Sequence, residues 1–271
     1  MTVFYTVVVI AFGLLIGSFF NVLIYRLPRG ESIVWPGSRC PVCSRAIGPL
    51  ENIPVLSYLF IRGKCVGCKV SIPLRYPIVE ALTAVCAVLV WHFHVAPALP
   101  ASPAQAAVLV VQSLSLLLLI PILFIDLVHY IIPDGITLGG LVTAILVSFL
   151  PGSITPLEMV IGALTGGGTL LAIGYLGKII FRKEETMGGG DIKLMAFLGA
   201  AWGWKVAFLG IIFGSFIGAF AGVAMIVVKR LREDHLIPFG PFLGIGAWAA
   251  ALAGEEILRL YFSLLDAVLP Y

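Results

Sequence analysis

The chain has 271 residues, of which 60% are hydrophobic and only 11% charged, with a formal net charge of +3 and a mean hydropathy of +1.09. A soluble globular domain carries about 25% charged residues, so that class is excluded. Uncharged runs cover 1–25, 81–125, 135–157, 159–177 and 206–228. About 20 apolar residues cross a bilayer as a helix, so the pattern predicts an all-α polytopic membrane protein held in the lipid bilayer, with no nucleic-acid partner.

The first span, 3–25, has no Lys or Arg before Arg26 and no small-x-small cleavage site after it, so it is expected to persist as a helix. Further spans are placed near 77–97, 104–125, 134–151, 157–180, 192–204, 206–228 and 237–254, about eight in all. Pro97, Pro100 and Pro103 supply the turn inside the longest uncharged run. The sixth span sits between Lys193 and Lys205 and covers only about 16 Å of a hydrocarbon core about 30 Å thick. Charge distribution argues for keeping it. With eight crossings and the N-terminus outside, the loops at 26–76, 178–193 and 229–232 share one side and hold 15 of the 17 Lys and Arg. Short basic loops stay in the cytoplasm, so both termini are placed outside. The short sixth helix then requires a water-filled or protein-lined cavity at one end. The chain divides into a first transmembrane helix (1–25), a cytoplasmic loop (26–76), a membrane core (77–254) and a tail (255–271) expected along the outer interface.

Within the cytoplasmic loop stand Cys40-Pro41-Val42-Cys43 and Cys65-Val66-Gly67-Cys68. A C-x-x-C turn aims two thiolates at one ion, and two such turns complete the tetrahedral shell of a structural zinc site. Two disulfides are the alternative, which a cytoplasmic location disfavours. Four cysteines leave no open coordination position, so the metal is expected to staple a small zinc-ribbon-like subdomain poor in large apolar side chains. Gly67 is expected to relieve the second turn. Cys86 lies in an apolar helix and is read as packing.

A carboxylate at the bilayer centre costs about 2.5–3.5 kcal/mol on insertion scales, so an acidic residue at a span boundary needs a reason, which singles out Glu80, Asp126, Asp134 and Asp191. Asp126 closes the third span, Asp134 opens the fourth after Pro133, and Asp191 opens the sixth after Gly188-Gly189-Gly190. The last three lie at cytoplasmic helix ends and can converge. Two carboxylates sharing a site cannot both ionise easily, so one keeps a proton as acid while the other activates water, the pairing used by aspartic peptidases. Asp134 is also well placed to cap a helix, and Asp191 can cap the sixth. Asp126 is harder to explain that way, because a helix C-terminus disfavours negative charge. Glu80 is read either as a partner of Arg75 or as part of a polar pocket.

No G-x-S-x-G, H-E-x-x-H or G-x-x-x-x-G-K-[ST] motif occurs, so serine-hydrolase, zinc-peptidase and P-loop signatures are absent. The motifs that are present run in order along nearly the whole chain: Gly17-Ser18-Phe19-Phe20-Asn21 through Arg26-Leu27-Pro28, the two cysteine pairs, and Pro73-Leu74-Arg75-Tyr76-Pro77 with Glu80. Asp126 with Ile132-Pro133-Asp134, Gly188 through Leu194, and Pro238-Phe239-Gly240-Pro241-Phe242 follow. Together they resemble the type IV prepilin peptidases, membrane aspartic peptidases of the G-x-G-D class.

The resemblance implies a bacterial inner-membrane enzyme whose active site faces the cytoplasm. Asp126 and Asp191 become its catalytic pair, and 77–254 its peptidase core. Its substrates are the prepilins of type IV pili and the pseudopilins of type II secretion, cut after a glycine. Members with the four-cysteine loop also methylate the new N-terminal residue with S-adenosylmethionine, so both activities are expected. Asn21, Arg26, Glu51, Arg75 and Glu80 are, by position, candidates for the methyl-transfer pocket, although a basic loop gives a cationic donor no electrostatic help. Glu184, Glu185, Glu233 and Asp234 are expected to attract a short basic leader. The competing readings are a peptidase that does not methylate, a proton-coupled transporter, which would predict inverted repeats, and a noncatalytic scaffold.

Overall fold

The computed structural model describes residues 2–182, 186–227 and 238–268. The chain forms two compact units, Met1–Leu99 with Ile120–Ile125, and Pro100–Leu119 with Asp126–Tyr271. Among the described residues no strand forms beyond two isolated bridges, Arg39 with Ala46 and Lys64 with Ser71.

In the first unit, α1 (Thr2–Arg26) packs along α3 (Arg75–Val90). Small residues set the spacing: a Cβ added at Gly13 would lie 2.7 Å from the Ala84 Cα, and one at Gly17 would lie 2.7 Å from the Glu80 Cα. Lipid supplies no hydrophobic drive between apolar helices, so close backbone approach of this kind holds them together. Helix α3 continues through a π-turn at Trp91–Val95 and a 3-10 turn at Ala96–Ala98. Between the two helices the chain makes short 3-10 turns at Leu27–Arg29 and Pro49–Asn52 and the five-residue α2 (Leu56–Phe60).

The second unit begins with α4 (Pro103–Leu117), whose N-cap Ser102 accepts from the Gln105 N–H; α5 (Leu119–His129) follows in the chain, its residues Ile120–Ile125 grouping with the first unit and Asp126 onward with the second. The break at Leu118 follows from Pro121, which has no N–H for the Leu117 carbonyl and crowds it with its ring. Next come α6 (Asp134–Val147), α7 (Pro156–Ala163) and α8 (Thr169–Phe181). The glycines at 166–168 lie in a single π-turn, Leu164–Gly168, so α7 and α8 form one long helical stretch. Then follow α9 (Gly189–Trp202), α10 (Trp204–Val227) and α11 (Gly240–Val268).

Among the described residues, five helical stretches are long and apolar enough to cross a membrane: Val3–Arg29, Arg75–Ala98, Pro103–His129, Pro156–Phe181 and Trp204–Val227. The protein is therefore a multi-pass membrane protein, and the expected all-α fold is borne out. The expected fourth and sixth spans appear as the 14-residue helices α6 and α9. Helix α9 touches α4, α6, α7, α8, α10 and α11, and Asp191, Leu194, Met195 and Phe197 through Ala201 are all buried. A helix wrapped in protein does not have to match the lipid thickness. The described residues of the eighth span and of the tail, to Val268, form one continuous helix, α11. Nothing between Gly254 and Glu255 breaks it, and Glu255, Glu256 and Arg259 pair along its surface with i,i+3 and i,i+4 spacing.

Candidate functional site

The second unit builds a carboxylate site at three helix ends. Asp126 lies in the last turn of α5, which Tyr130 closes with left-handed backbone and an N–H donated to the Asp126 carbonyl at 3.0 Å. Asp191 lies in the first turn of α9, behind Gly188. Both side chains are buried, with 6% and 8% exposure. They meet at Gly240, the first residue of α11. A Cβ added there would lie 2.6 Å from Oδ2 of Asp126 and 3.3 Å from Oδ1 of Asp191, so the two oxygens are no farther apart than those distances combined. The Gly240 N–H faces the Asp126 carboxylate. A Cβ at Gly188 would lie 2.8 Å from the other oxygen of Asp191. Absence of side chains at these two glycines is what leaves space around the pair.

Asp134 does not join the pair. The N-cap of α6 is Pro133 and makes no side-chain capping bond, which corrects the capping expectation. Asp134 instead accepts from Lys193 Nζ at 2.7 Å, an exposed ion pair tying the start of α6 to α9. The capping role considered for Asp191 is also corrected, because Gly188 occupies the cap. Between Asp126 and Asp134, Ile132 reaches the other two elements: a Cβ at Gly190 would lie 2.9 Å from its Cβ, and one at Gly240 would lie 3.0 Å from its Cδ1. Sequence reasoning gave neither Ile132 nor Gly240 a role, although both fall inside the motifs quoted above. Glu184, Glu185, Glu233 and Asp234 lie outside the described residues.

The first unit builds the cysteine site from two turns of the same form. Cys40 donates its N–H to Arg45 and accepts from Ser44, while Cys65 donates to Val70 and accepts from Lys69. Ser44 and Lys69 both take positive φ, 57° and 60°. The strained position in the second turn is thus Lys69 rather than Gly67. Gly67 instead makes room, since a Cβ there would lie 3.5 Å from the Cys43 sulfur and 3.1 Å from Arg45 Cδ.

The four sulfurs lie within 4.8 Å of one another, with Cys40–Cys68 at 3.8 Å and Cys43–Cys65 at 4.0 Å. A tetrahedral ion with metal–sulfur bonds of about 2.3 Å sets its sulfurs about 3.8 Å apart, so the donor set fits such an ion. The Cys43 and Val42 N–H groups push the Cys40 thiol down to about 6, and those of Cys68 and Gly67 lower Cys65. Both effects favour the thiolate that a metal needs, whereas desolvation and the neighbouring sulfurs push the Cys68 thiol up to about 11.

The five residues singled out for a methyl-transfer pocket all lie in this unit, in three different settings. Glu51 belongs to the ribbon: Arg45 donates to both its oxygens at 2.8 and 2.9 Å, and that guanidinium holds its carboxyl below the usual range. Arg26 donates to the carbonyls of Ser32 and Pro36, at 2.8 and 2.6 Å, which fixes the chain leaving α1. Asn21, Arg75 and Glu80 line the α1–α3 contact. Asn21 Nδ2 donates to the Tyr76 carbonyl at 3.1 Å, while its Oδ1 and Arg75 Nε are buried without a partner.

Glu80 is 8% exposed and makes no ion pair with Arg75 among the described residues, contrary to the first of its two readings. It accepts the Val55 N–H at 2.7 Å. Val55 has φ 61° and ψ −51°, and the Leu56 N–H donates to the Pro54 carbonyl at 2.6 Å. This is a classic γ-turn on a β-branched residue, a conformation costing about 1–3 kcal/mol that surrounding contacts must hold. No periodicity in the sequence marks it.

The fold and its two sites define a polytopic membrane protein with paired buried carboxylates in one unit and a four-thiol metal ribbon in the other. Residues 11–93 match the bacterial peptidase A24 N-terminal domain, and residues 113–223 match the type IV leader peptidase family. The prepilin leader peptidase/N-methyltransferase of Aeromonas hydrophila is 36% identical, over 96% of this chain and 94% of its own. Its namesake from Pseudomonas aeruginosa is 35% identical, over 93% and 91%. That of Myxococcus xanthus is 37% identical, over 82% and 64%. The chain belongs to the type IV leader peptidase family, as its motifs suggested. No solved structure matches the chain significantly.

Proposed function

We propose that the chain cuts the leader from type IV prepilins and pseudopilins after a glycine, on the cytoplasmic side of the bacterial inner membrane, and then methylates the new N-terminal residue. The observation carrying the first reaction is the convergence of buried Asp126 and Asp191 on Gly240. The apolar helix of the substrate enters sideways between spans, and its leader junction unwinds beside the glycines at 188–190. One aspartate takes a proton from the attacking water. The other protonates the carbonyl oxygen and then the leaving amine. Close juxtaposition keeps one proton on the pair, which is what that division of labour requires.

The methylation reading rests on the family and on relatives named as N-methyltransferases. S-adenosylmethionine supplies an electrophilic methyl group when bound. Cys40, Cys43, Cys65 and Cys68 hold structural zinc, since four thiolates fill a tetrahedral shell.

The test incubates the purified chain with a prepilin bearing a Gly-Phe junction and S-adenosylmethionine, and weighs the product. Leader loss with a methyl increment is expected. Asp126→Asn and Asp191→Asn are each expected to slow leader loss by about 10²–10⁴-fold, the usual contribution of a positioned acid or base. Cleavage without the increment would select the peptidase-only reading. An intact substrate would favour a transporter or scaffold.

A further inference from the structure

Between α1 and the segment that follows it, the first unit holds a cleft of about 300 Å³. Its wall on α1 includes Leu15, Phe19 and Val22 and ends at Arg26, and its wall on the loop includes Ile33 and Val34. Leu15 lies one half of a bilayer below Arg26, about 16 Å along the helix axis, within the stretch Val3–Arg29 that is long enough to span. A cleft that starts so deep on a spanning helix opens to acyl chains, and the loop forming its other wall turns back toward α1 beside them.

That loop is built for such a place. Val34 and Trp35 are 84% and 76% exposed. Large apolar side chains grouped on a surface mark a contact with something outside the chain, and Trp is enriched where a membrane meets water. Backbone polar groups must be paired before a segment can enter lipid. Ser32 Oγ accepts the N–H groups of Val34 and Trp35, both at 3.3 Å, and Pro36 has no N–H to satisfy. Arg26 donates to the carbonyls of Ser32, Pro36 and Gly37, so the guanidinium at the end of α1 ties the turn to the point where the helix leaves the bilayer. Around it, residues 26–76 carry eight Lys and Arg against two Glu, and one of the two, Glu51, is paired with Arg45. Arg39, just beyond the turn, is exposed.

We propose that the turn at 32–37 is an anchor in the leaflet from which α1 emerges, and that the cleft takes one acyl chain of an anionic phospholipid of that leaflet. The volume, at the lower end of small-molecule sites, suits a single chain. Ser38 and Asn52, which also line the cleft, offer donors to the ester and glycerol oxygens at the head of such a chain. The basic loop attracts an anionic headgroup and repels the basic leader expected of a substrate. The anchor acts independently of either proposed reaction, and its role is to hold the start of the ribbon against the bilayer.

The experiment uses the full chain in lipid nanodiscs and reads tryptophan fluorescence. The chain has five tryptophans, and the difference between the parent and Trp35→Phe isolates the signal of Trp35. Should that variant fail to fold, the signal added by Val34→Trp reports from the same turn. Phospholipids with brominated acyl chains quench from within the leaflet, and iodide quenches from water. The Trp35 signal is expected to be quenched by brominated chains and shielded from iodide. Brominated phosphatidylglycerol is expected to quench about fivefold more effectively than brominated phosphatidylcholine at equal mole fraction, the enrichment that one Lys or Arg near a membrane surface gives. Arg26→Met, which removes the donor to the turn's carbonyls, is expected to open Trp35 to iodide with helix content unchanged. Mass spectrometry of the detergent-extracted parent is expected to find about one phosphatidylglycerol per chain, and well below that in Val22→Trp, which fills the cleft.

Quenching of Trp35 by iodide as free as that of tryptophan in water overturns the anchor. Shielding from iodide and from brominated chains alike means that protein covers the turn, which overturns lipid as the partner in favour of a second copy or a substrate. Equal quenching by the two brominated lipids overturns the anionic headgroup. A parent extracted without lipid, or a Val22→Trp variant that retains as much as the parent, overturns the cleft as the binding place. Trp35 still shielded in Arg26→Met overturns the part assigned to Arg26.

Discussion

At the scale of single residues, Gly240 shows how much the carboxylate pair depends on what is missing. A methyl group there would press on Asp126 at 2.6 Å and stand 3.3 Å from Asp191, filling the space where water and a scissile carbonyl must fit. Gly240→Ala is expected to lower the cleavage rate about tenfold or more, because small displacements of reacting groups are costly. Circular dichroism should show unchanged helix content. Unfolding alongside the loss would assign Gly240 to packing instead. Glu51 offers a different kind of test. Arg45 depresses its folded-state pKa, so its contribution to the ribbon is present above the ordinary glutamate value and is lost as pH falls through the folded one. Limited proteolysis should find Glu51→Gln cut faster than the parent at neutral pH, with the difference vanishing in acid. A difference that persists below the folded value would show that the ion pair is not its source.

At the scale of elements, the ribbon is too small to bury a core, and among the described residues of 27–74 the only pairs meeting strand geometry are its two bridges. Its order is expected to come from the metal bound by four thiolates. Chelation, or Cys43→Ser, should drop bound zinc from about one per chain to well below that, and should expose residues 26–76 to protease. A ribbon equally resistant with and without zinc would refute a stapling role. Helix α9 makes the opposite case. Fourteen residues would be too short as an isolated span, yet the helix is stable because neighbours cover nearly every face of its second half. Its role is to carry Asp191 at the end where the helix field favours a carboxylate, while Asp126 sits at the end of α5 where it does not. The two acids therefore occupy electrostatically different places.

At the scale of the whole molecule, the proposed topology has the ribbon and the aspartate ends in the cytoplasm, and thiol labelling can test that proposal. In spheroplasts, a membrane-impermeant thiol reagent should modify Ser102→Cys but not Thr186→Cys, and should modify both once the membrane is opened. Labelling of both from outside would break the eight-span topology. The aspartate pair lies in one unit and the four-thiol ribbon in the other.

Much of this was legible in the sequence, because apolar runs, cysteine spacing and carboxylates beside membrane segments are local patterns that a bilayer or a metal turns into structure. Those patterns were sufficient to identify the helices, the four-thiol cluster and four carboxylates beside membrane segments, and the resemblance of the motifs pointed to the family and, within the four, to Asp126 and Asp191. Other facts needed the tertiary structure. Asp134 turned from a cap into the partner of Lys193, 59 residues away. Glu80 left Arg75 for the backbone of Val55, and α11 absorbed the tail. Each was settled by which distant groups came to lie side by side. A buried polar group is fixed by the partner that satisfies it, and one-dimensional spacing does not reveal that partner.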